Sequence, residues 1–146
     1  MAKEPKEIIN ELLVDVFNHI LSIEQQHLRQ RGVNLSMNEV HVLEAIEKSD
    51  EATMGNVARK LRVTVGTLTT AINRLSEKGY CERYSMTGDK RKVFLRLTDK
   101  AREVLSIHDD FHDEMIDAVL EDMKLEDNTV LIESLEKLSQ YFKNKY

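Results

Sequence analysis

Apolar residues recur at helical spacing along most of this chain, and the places where that spacing breaks divide it into elements. From Glu7 to Arg31 the stripe of Ile8, Ile9, Leu12, Leu13, Val16, Phe17, Ile20, Leu21 and Leu28 predicts one long helix, with Met1 to Lys3 outside it, Pro5 in its first turn and Gly32 closing it. Ser36-Met37-Asn38-Glu39 has the spacing of a capping box and opens a second helix on Val40, Leu43 and Ile46 that ends near Lys48. Thr53 is placed to cap a short amphipathic segment in which Met54, Val57, Ala58 and Leu61 share a face. Arg62 and Val63 connect it tightly to Thr64, which caps a helix on Val65, Leu68, Ile72 and Leu75 that Gly79 ends. The period then changes. Tyr80 to Ser85 and Lys92 to Leu97 are rich in aromatic and β-branched residues and predict two short strands around the turn-forming Met86-Thr87-Gly88-Asp89-Lys90-Arg91. Beyond them Thr98 caps a long helix to about Met123 along Ala101, Val104, Leu105, His108, Phe111, His112, Met115 and Val119. A last helix follows from about Glu126 to Lys143.

The expected fold class is therefore mainly α with a minor β part. It is a winged helix-turn-helix with a two-stranded β wing, set between long N- and C-terminal helices. The terminal helices hold more apolar face than one protomer of 146 residues can cover. The economical arrangement is a symmetric homodimer in which helices of two chains interdigitate.

Charge changes the picture more than composition does. Thr53 to Arg102 holds twelve Lys or Arg against four Asp or Glu, a net of +8 inside a chain whose overall net charge is −5. The acidic total thus hides a strongly basic segment, and that segment coincides with the helix-turn-helix and hairpin. On the helix from Thr64, the side opposite the apolar stripe carries Gly66, Thr67, Thr70, Asn73, Arg74 and Glu77. A solvated face in a chain with 32% charged residues is normally Glu and Lys. Small hydroxyls, one Asn and one Arg instead suit close approach to base edges and phosphates. We therefore expect a duplex-DNA interface formed by Thr64, Gly66, Thr67, Thr69, Thr70, Asn73 and Arg74 with Asp89, Lys90 and Arg91 of the wing, and Arg91 suits a narrow minor groove. The corresponding division is residues 1–34 as an N-terminal dimerisation helix, 35–98 as the winged helix-turn-helix DNA-binding domain and 99–146 as C-terminal dimerisation helices. Two such interfaces on a two-fold axis imply a pseudo-palindromic operator with half-sites about one helical turn apart.

Other chemistry finds less support. There is no Gly-rich phosphate loop, nucleophile elbow or metalloprotease motif, so no enzymatic activity and no cofactor is expected. His108 and His112 share a helix face at the spacing of metal ligands, but they sit on an apolar stripe and are read as packing residues, with no metal expected. Cys81, the single cysteine, has no partner for an internal disulfide and no evident cationic helix terminus beside it, so it reads as a small packing residue. No long apolar run or secretory leader pattern is present, which points to a cytoplasmic protein and no membrane partner. A competing reading keeps the helical dimer but has the basic hairpin bind an acidic protein rather than DNA.

The ordered set Arg74-Leu75, Lys78-Gly79-Tyr80, Glu82-Arg83, Asp89-Lys90-Arg91 and Leu95-Arg96-Leu97-Thr98 resembles the MarR family of bacterial winged-helix transcriptional regulators, and the Asp-x-Arg of the wing is a specific part of that likeness. The chain departs from the family where Ala101 replaces a common Gly and Thr70 a frequent Arg. The resemblance implies that Asp89 orients Arg91 for the minor groove, and that an effector enters a crevice between winged helix and dimer helices, here near Leu21, Leu28, Val42, Phe111 and Met115. Phe17 to Glu24, Asn38 to His41, Thr64 to Thr70, and His108 with Phe111-His112 look like the FabT-type fatty-acid-synthesis repressors within that family. This likeness implies repression of fatty-acid biosynthesis genes with long-chain acyl-acyl carrier protein as corepressor, docked on cations such as Arg29 or Arg31. The alternative within the family is a repressor released by a small aromatic ligand.

Overall fold

The computed structural model describes residues 2–146; Met1 lies outside the described residues. The chain forms two compact units, Met1–His108 and Asp109–Tyr146.

The first unit begins with a helical run made of α1 (Pro5–Asn10), a π-helical stretch (Glu11–Val16) and α2 (Phe17–Gln30). Pro5 stands in the first turn as expected, but the wider π turns were not legible in the periodicity. Gly32 ends the run at φ +78°, a left-handed conformation favoured by glycine, while Val33 N donates back to Leu28 O at 3.0 Å. The α3 helix (Met37–Glu47) opens on the expected capping box: Glu39 N donates to Ser36 Oγ at 3.2 Å, and Ser36 N to Glu39 Oε1 at 3.0 Å. Thr53 and Thr64 cap α4 (Met54–Leu61) and α5 (Val65–Glu77), each accepting the backbone N–H three residues on at 3.1 Å. The tight turn between them passes through Arg62 at φ 59°, and Gly79 at φ +83° ends α5.

These helices meet around Leu28, Val40, Leu43, Val57, Leu68, Ile72, Leu75 and Leu105, all essentially removed from water. Each such side chain contributes about 1.5–3 kcal/mol through burial. Ile72 and Leu75 thereby fix which side of α5 faces out. Val65 departs from the expected stripe: it is 50% exposed, because it lies in the first turn, beyond the edge of the core that Leu68 starts.

The wing pairs β1 (Cys81–Met86) with β2 (Asp89–Leu97) antiparallel, with Arg83 opposite Leu95, Tyr84 opposite Phe94 and a bulge between Tyr84 and Met86. Here the strands run further than expected. Met86 pairs with Asp89, so Asp89, Lys90 and Arg91 are strand residues and the turn is reduced to Thr87-Gly88, with Gly88 at φ +91°. The base of the wing is fastened to the loop before α4 by Leu95 N donating to Ala52 O at 2.8 Å and by a bridge between Thr53 and Phe94.

Helix α6 (Asp99–Met123) starts after Thr98, whose hydroxyl donates to Gly79 O at 2.7 Å. In the second unit, Lys124 at φ 51° and a 3₁₀ turn (Leu125–Asp127) interrupt the chain before α7 (Thr129–Lys145). The last helix therefore begins three residues later than expected, because Asn128 is its cap and accepts Leu131 N at 3.0 Å. Both terminal segments carry exposed apolar faces, Ile8, Leu12 and Phe17 in the first unit and Ile116, Val130 and Leu135 in the second. No helix among the described residues is long and apolar enough to cross a membrane.

Candidate nucleic-acid interface

With Leu68, Ile72 and Leu75 anchored in the core, α5 turns Gly66, Thr67, Thr70, Asn73, Arg74 and Glu77 outward, all exposed. The hydroxyls on this face are already oriented. Thr69 Oγ1 donates to Val65 O at 2.8 Å and Thr70 Oγ1 to Gly66 O at 3.3 Å, so each hydrogen points into the helix. What remains for a partner is an acceptor oxygen and a methyl group, suited to the amino groups of adenine or cytosine and the methyl of thymine. Thr67 is held by the cap, since Thr64 Oγ1 lies 3.0 Å from its hydroxyl as well as accepting its N–H. Gly66 leaves the helix surface low, and no atom lies closer than 3.9 Å to where a Cβ would stand.

Asn73 is oriented from outside the helix. Arg83 of β1 donates to Asn73 Oδ1, which turns the amide NH₂ toward solvent as a donor for a base acceptor. Sequence reading missed Arg83, whose partner is ten residues away across an element boundary. It also misplaced Val65, whose exposed side chain lines a groove with Thr69, Arg59, Arg83, Arg91 and Lys92. Four cations converge on this groove from α4, β1 and β2, against the single acid Glu51, which itself lies 3.9 Å from Lys92. The arrangement fits a phosphate backbone passing between recognition helix and wing.

On β2, Asp89 accepts the backbone N–H of Arg91 at 3.0 Å and stands 3.6 Å from its guanidinium Nε, while the Arg91 side chain is 94% exposed. Lys90 is exposed beside it. The structure thus brings Thr64, Gly66, Thr67, Thr69, Thr70, Asn73 and Arg74 onto one helix and Asp89, Lys90 and Arg91 onto the adjoining strand, all within the first unit.

The other candidates lie elsewhere. Cys81 is buried, and burial pushes its thiol up from the ordinary value, opposed by a hydrogen bond with Ser76. Leu28 and Val42 belong to the core of the first unit with Leu21 packed on it, where they act as packing residues; Phe111 and Met115 are half-buried in the second. Arg29 and Arg31 are exposed, with Arg31 Nη1 3.1 Å from His27 Nδ1. His108 is buried against Glu44, a partner not foreseen from the sequence.

Comparison with known proteins gives a consistent picture. The MarR family profile matches residues 35–93, the stretch from α3 through most of the wing. Streptococcus pneumoniae FabT, solved in complex with DNA, is 34% identical with a TM-score of 0.84, over 97% of this chain and 99% of that one. Transcriptional regulator AdcR of Streptococcus pneumoniae serotype 2 is 30% identical over 113 residues, 74% of this chain and 72% of that protein. The HTH-type transcriptional regulator PchR of Bacillus subtilis is 25% identical over 77 residues, and the match spans about half of its length, 46%.

Proposed function

The chain belongs to the MarR family, whose members are non-enzymatic DNA-binding transcriptional regulators, and from that membership we propose that it is a repressor binding a pseudo-palindromic operator as a homodimer. The observation that carries the reading is the joint geometry of α5 and the wing: an uncharged, pre-oriented polar face beside an Asp89-held Arg91, with a four-cation groove between them. In this reading residues 35–98 contact DNA, while residues 1–34 and 99–146 supply the dimer interface. The exposed apolar residues of the terminal helices favour such a partner, since faces of this extent are covered in stable proteins. A small dimer over about two turns of duplex acts most simply by excluding polymerase from a promoter.

The likeness to FabT along nearly the whole chain favours genes of fatty-acid biosynthesis as the target, and the sequence resemblance to FabT-type repressors is what puts forward long-chain acyl-acyl carrier protein as corepressor. One titration tests both levels. Binding to the chain's own promoter region is followed by fluorescence anisotropy, alone and with acyl carrier protein loaded with a long acyl chain, with the unloaded carrier, and with salicylate. Salt-sensitive binding that prefers this duplex to a scrambled one, tightened only by the loaded carrier, is expected. Equal affinity for any polyanion overturns the DNA reading, and release by salicylate with no effect of the loaded carrier overturns the corepressor.

A further inference from the structure

Helix α5 has a groove along each flank of its outward face. At about 100° per residue, Val65 and Thr69 edge that face on one side and Thr67 and Ala71 on the other, with Gly66, Thr70 and Asn73 between them. The flank of Val65 and Thr69 is the cationic groove shared with the wing. The opposite flank is a second groove, shared with α3, where Ser36, Asn38, Glu39 and His41 face Thr70 and Arg74. A helix with its side chains is about 10–12 Å across and the major groove of B-DNA about 12 Å wide, so a helix lying in that groove has a phosphate backbone along both flanks. The wing-side groove accounts for only one of them.

Phosphate oxygens accept hydrogen bonds, and the α3-side groove offers donors. Among the described residues, the side chains of Asn38, His41 and Arg74 give no hydrogen bond to the protein, which leaves an amide NH₂, an imidazole and a guanidinium for a partner. Ser36 Oγ accepts Glu39 N at 3.2 Å as the cap of α3, so its hydroxyl hydrogen can also be given outward. One acid stands among these groups, and its charge is already matched. Glu39 Oε1 accepts Ser36 N at 3.0 Å, while Nζ of Lys78, the residue that follows α5, donates to Glu39 Oε2 at 3.2 Å and to Asn34 O at 3.3 Å. Burial pushes this carboxyl up, but the bonds from Ser36 and Lys78 outweigh it and hold it below its ordinary value. Arg74 remains as the uncompensated charge of the groove.

We propose that the groove between α3 and α5 receives the second phosphate backbone of the duplex, with Asn38, His41 and the Ser36 hydroxyl as donors to it and Lys78 keeping Glu39 from repelling it. The inference rests on the operator reading and deepens it, since it brings the first helix of the DNA-binding domain into the interface. Contacts of this kind carry no base sequence; they fix the depth and angle at which α5 enters the groove. Lys78 is a positioning residue in this arrangement, acting through Glu39.

The test uses the full-length protein and a duplex from the chain's own promoter region, trimmed to its footprint and followed by fluorescence anisotropy. Asn38→Asp keeps the side-chain shape, and a carboxylate in the first turn of α3 is favourable to the helix, so the Tm is not expected to fall. Operator affinity is nevertheless expected to fall at least about tenfold, by the same factor for every operator with a single base change, because like charges then meet across a contact that reads no base. Lys78→Met is expected to weaken binding, and Glu39→Gln, which keeps the capping box, to restore it in that background. Duplexes carrying one neutral methylphosphonate at a time locate the contact: the phosphate whose neutralisation weakens the parent and leaves Asn38→Ala unaffected is the one held by α3. Should Lys78→Met not fold, Asn38→Asp and the methylphosphonate series carry the test. Parent-like affinity in Asn38→Asp, or a loss confined to particular base changes, overturns the groove while salt-sensitive binding by the parent leaves the operator reading standing. A parent that does not prefer its promoter duplex to other polyanions overturns both.

Discussion

Asp89 and Arg91 are bound to each other twice: the Asp89 carboxylate accepts the Arg91 backbone N–H at 3.0 Å and faces its guanidinium Nε at 3.6 Å. The first contact shapes the strand and the second aims a long side chain that is otherwise surrounded by water. For this reason Arg91→Ala is expected to weaken operator binding by about 1–3 kcal/mol and to lower the salt slope by about one unit. Asp89→Asn is expected to leave folding intact and still weaken binding, because the guanidinium loses its guide. Anisotropy titrations at several salt concentrations measure both, and unchanged affinity in Arg91→Ala would remove the wing from the interface.

Gly66 permits a substitution that separates folding from recognition. An added methyl meets nothing nearer than 3.9 Å, and its φ is not in the left-handed region, so Gly66→Ala is expected to stabilise α5 by a few tenths to about 1 kcal/mol. The same methyl raises the helix surface that the proposed interface turns toward DNA. Denaturant unfolding should therefore show a gain where operator titration shows a loss; a variant that gains in both shows that Gly66 does not face the duplex.

Arg83 is expected to act on specificity through Asn73. With Arg83→Ala the amide of Asn73 is free to turn, so preference at one base pair relaxes by about 1–3 kcal/mol. A panel of operators with single base changes reads this. A uniform loss across the panel instead would make Arg83 a phosphate contact and nothing more.

The helix caps were legible in the sequence for a common reason. Ser36 with Glu39, Thr53 with Asn56, and Thr64 with Thr67 are contacts over three residues, and a local pattern contains both partners. Periodicity failed where the deciding neighbour was distant. Val65 obeys the helical period of Leu68 and Ile72, yet nothing covers the first turn of α5, so it is exposed. Strand β2 reaches back to Asp89 because the bulge after Tyr84 lets Met86 pair with it, a relation set by the opposite strand. Glu24 looked like any solvated acid on a long helix, and only the approach of α6 gives it His108 as a neighbour.

Glu44 links the buried cluster to acid stability. Its hydrogen bond with His108 holds the carboxyl below its ordinary value of 4.5 against the opposing effect of burial, with Lys48 and His41 adding to the lowering. A carboxylate lowered on folding stabilises the native state above its ordinary value, and that contribution is lost as pH falls through the lowered one. Glu44→Gln should thus be less stable than the parent at pH 7, with the difference shrinking as pH drops below about 4.5. Urea unfolding at neutral and acidic pH checks it; a constant difference would assign the loss to packing.

Gln25, next to Glu24, spans the loop before α3 with both ends of its amide. Its Nε2 donates to Leu35 O at 2.6 Å, and its Oε1 accepts Met37 N at 3.1 Å. A side chain here stands in for a strand of backbone, and it removes the slack that a six-residue connection would otherwise have. Helix α2 cannot slide along its axis without drawing the start of α3 with it, and α3 packs directly on α5. The two helices thus act as a lever rather than a hinge: a displacement of α2 along its axis is handed to the start of α3 and, through it, to α5.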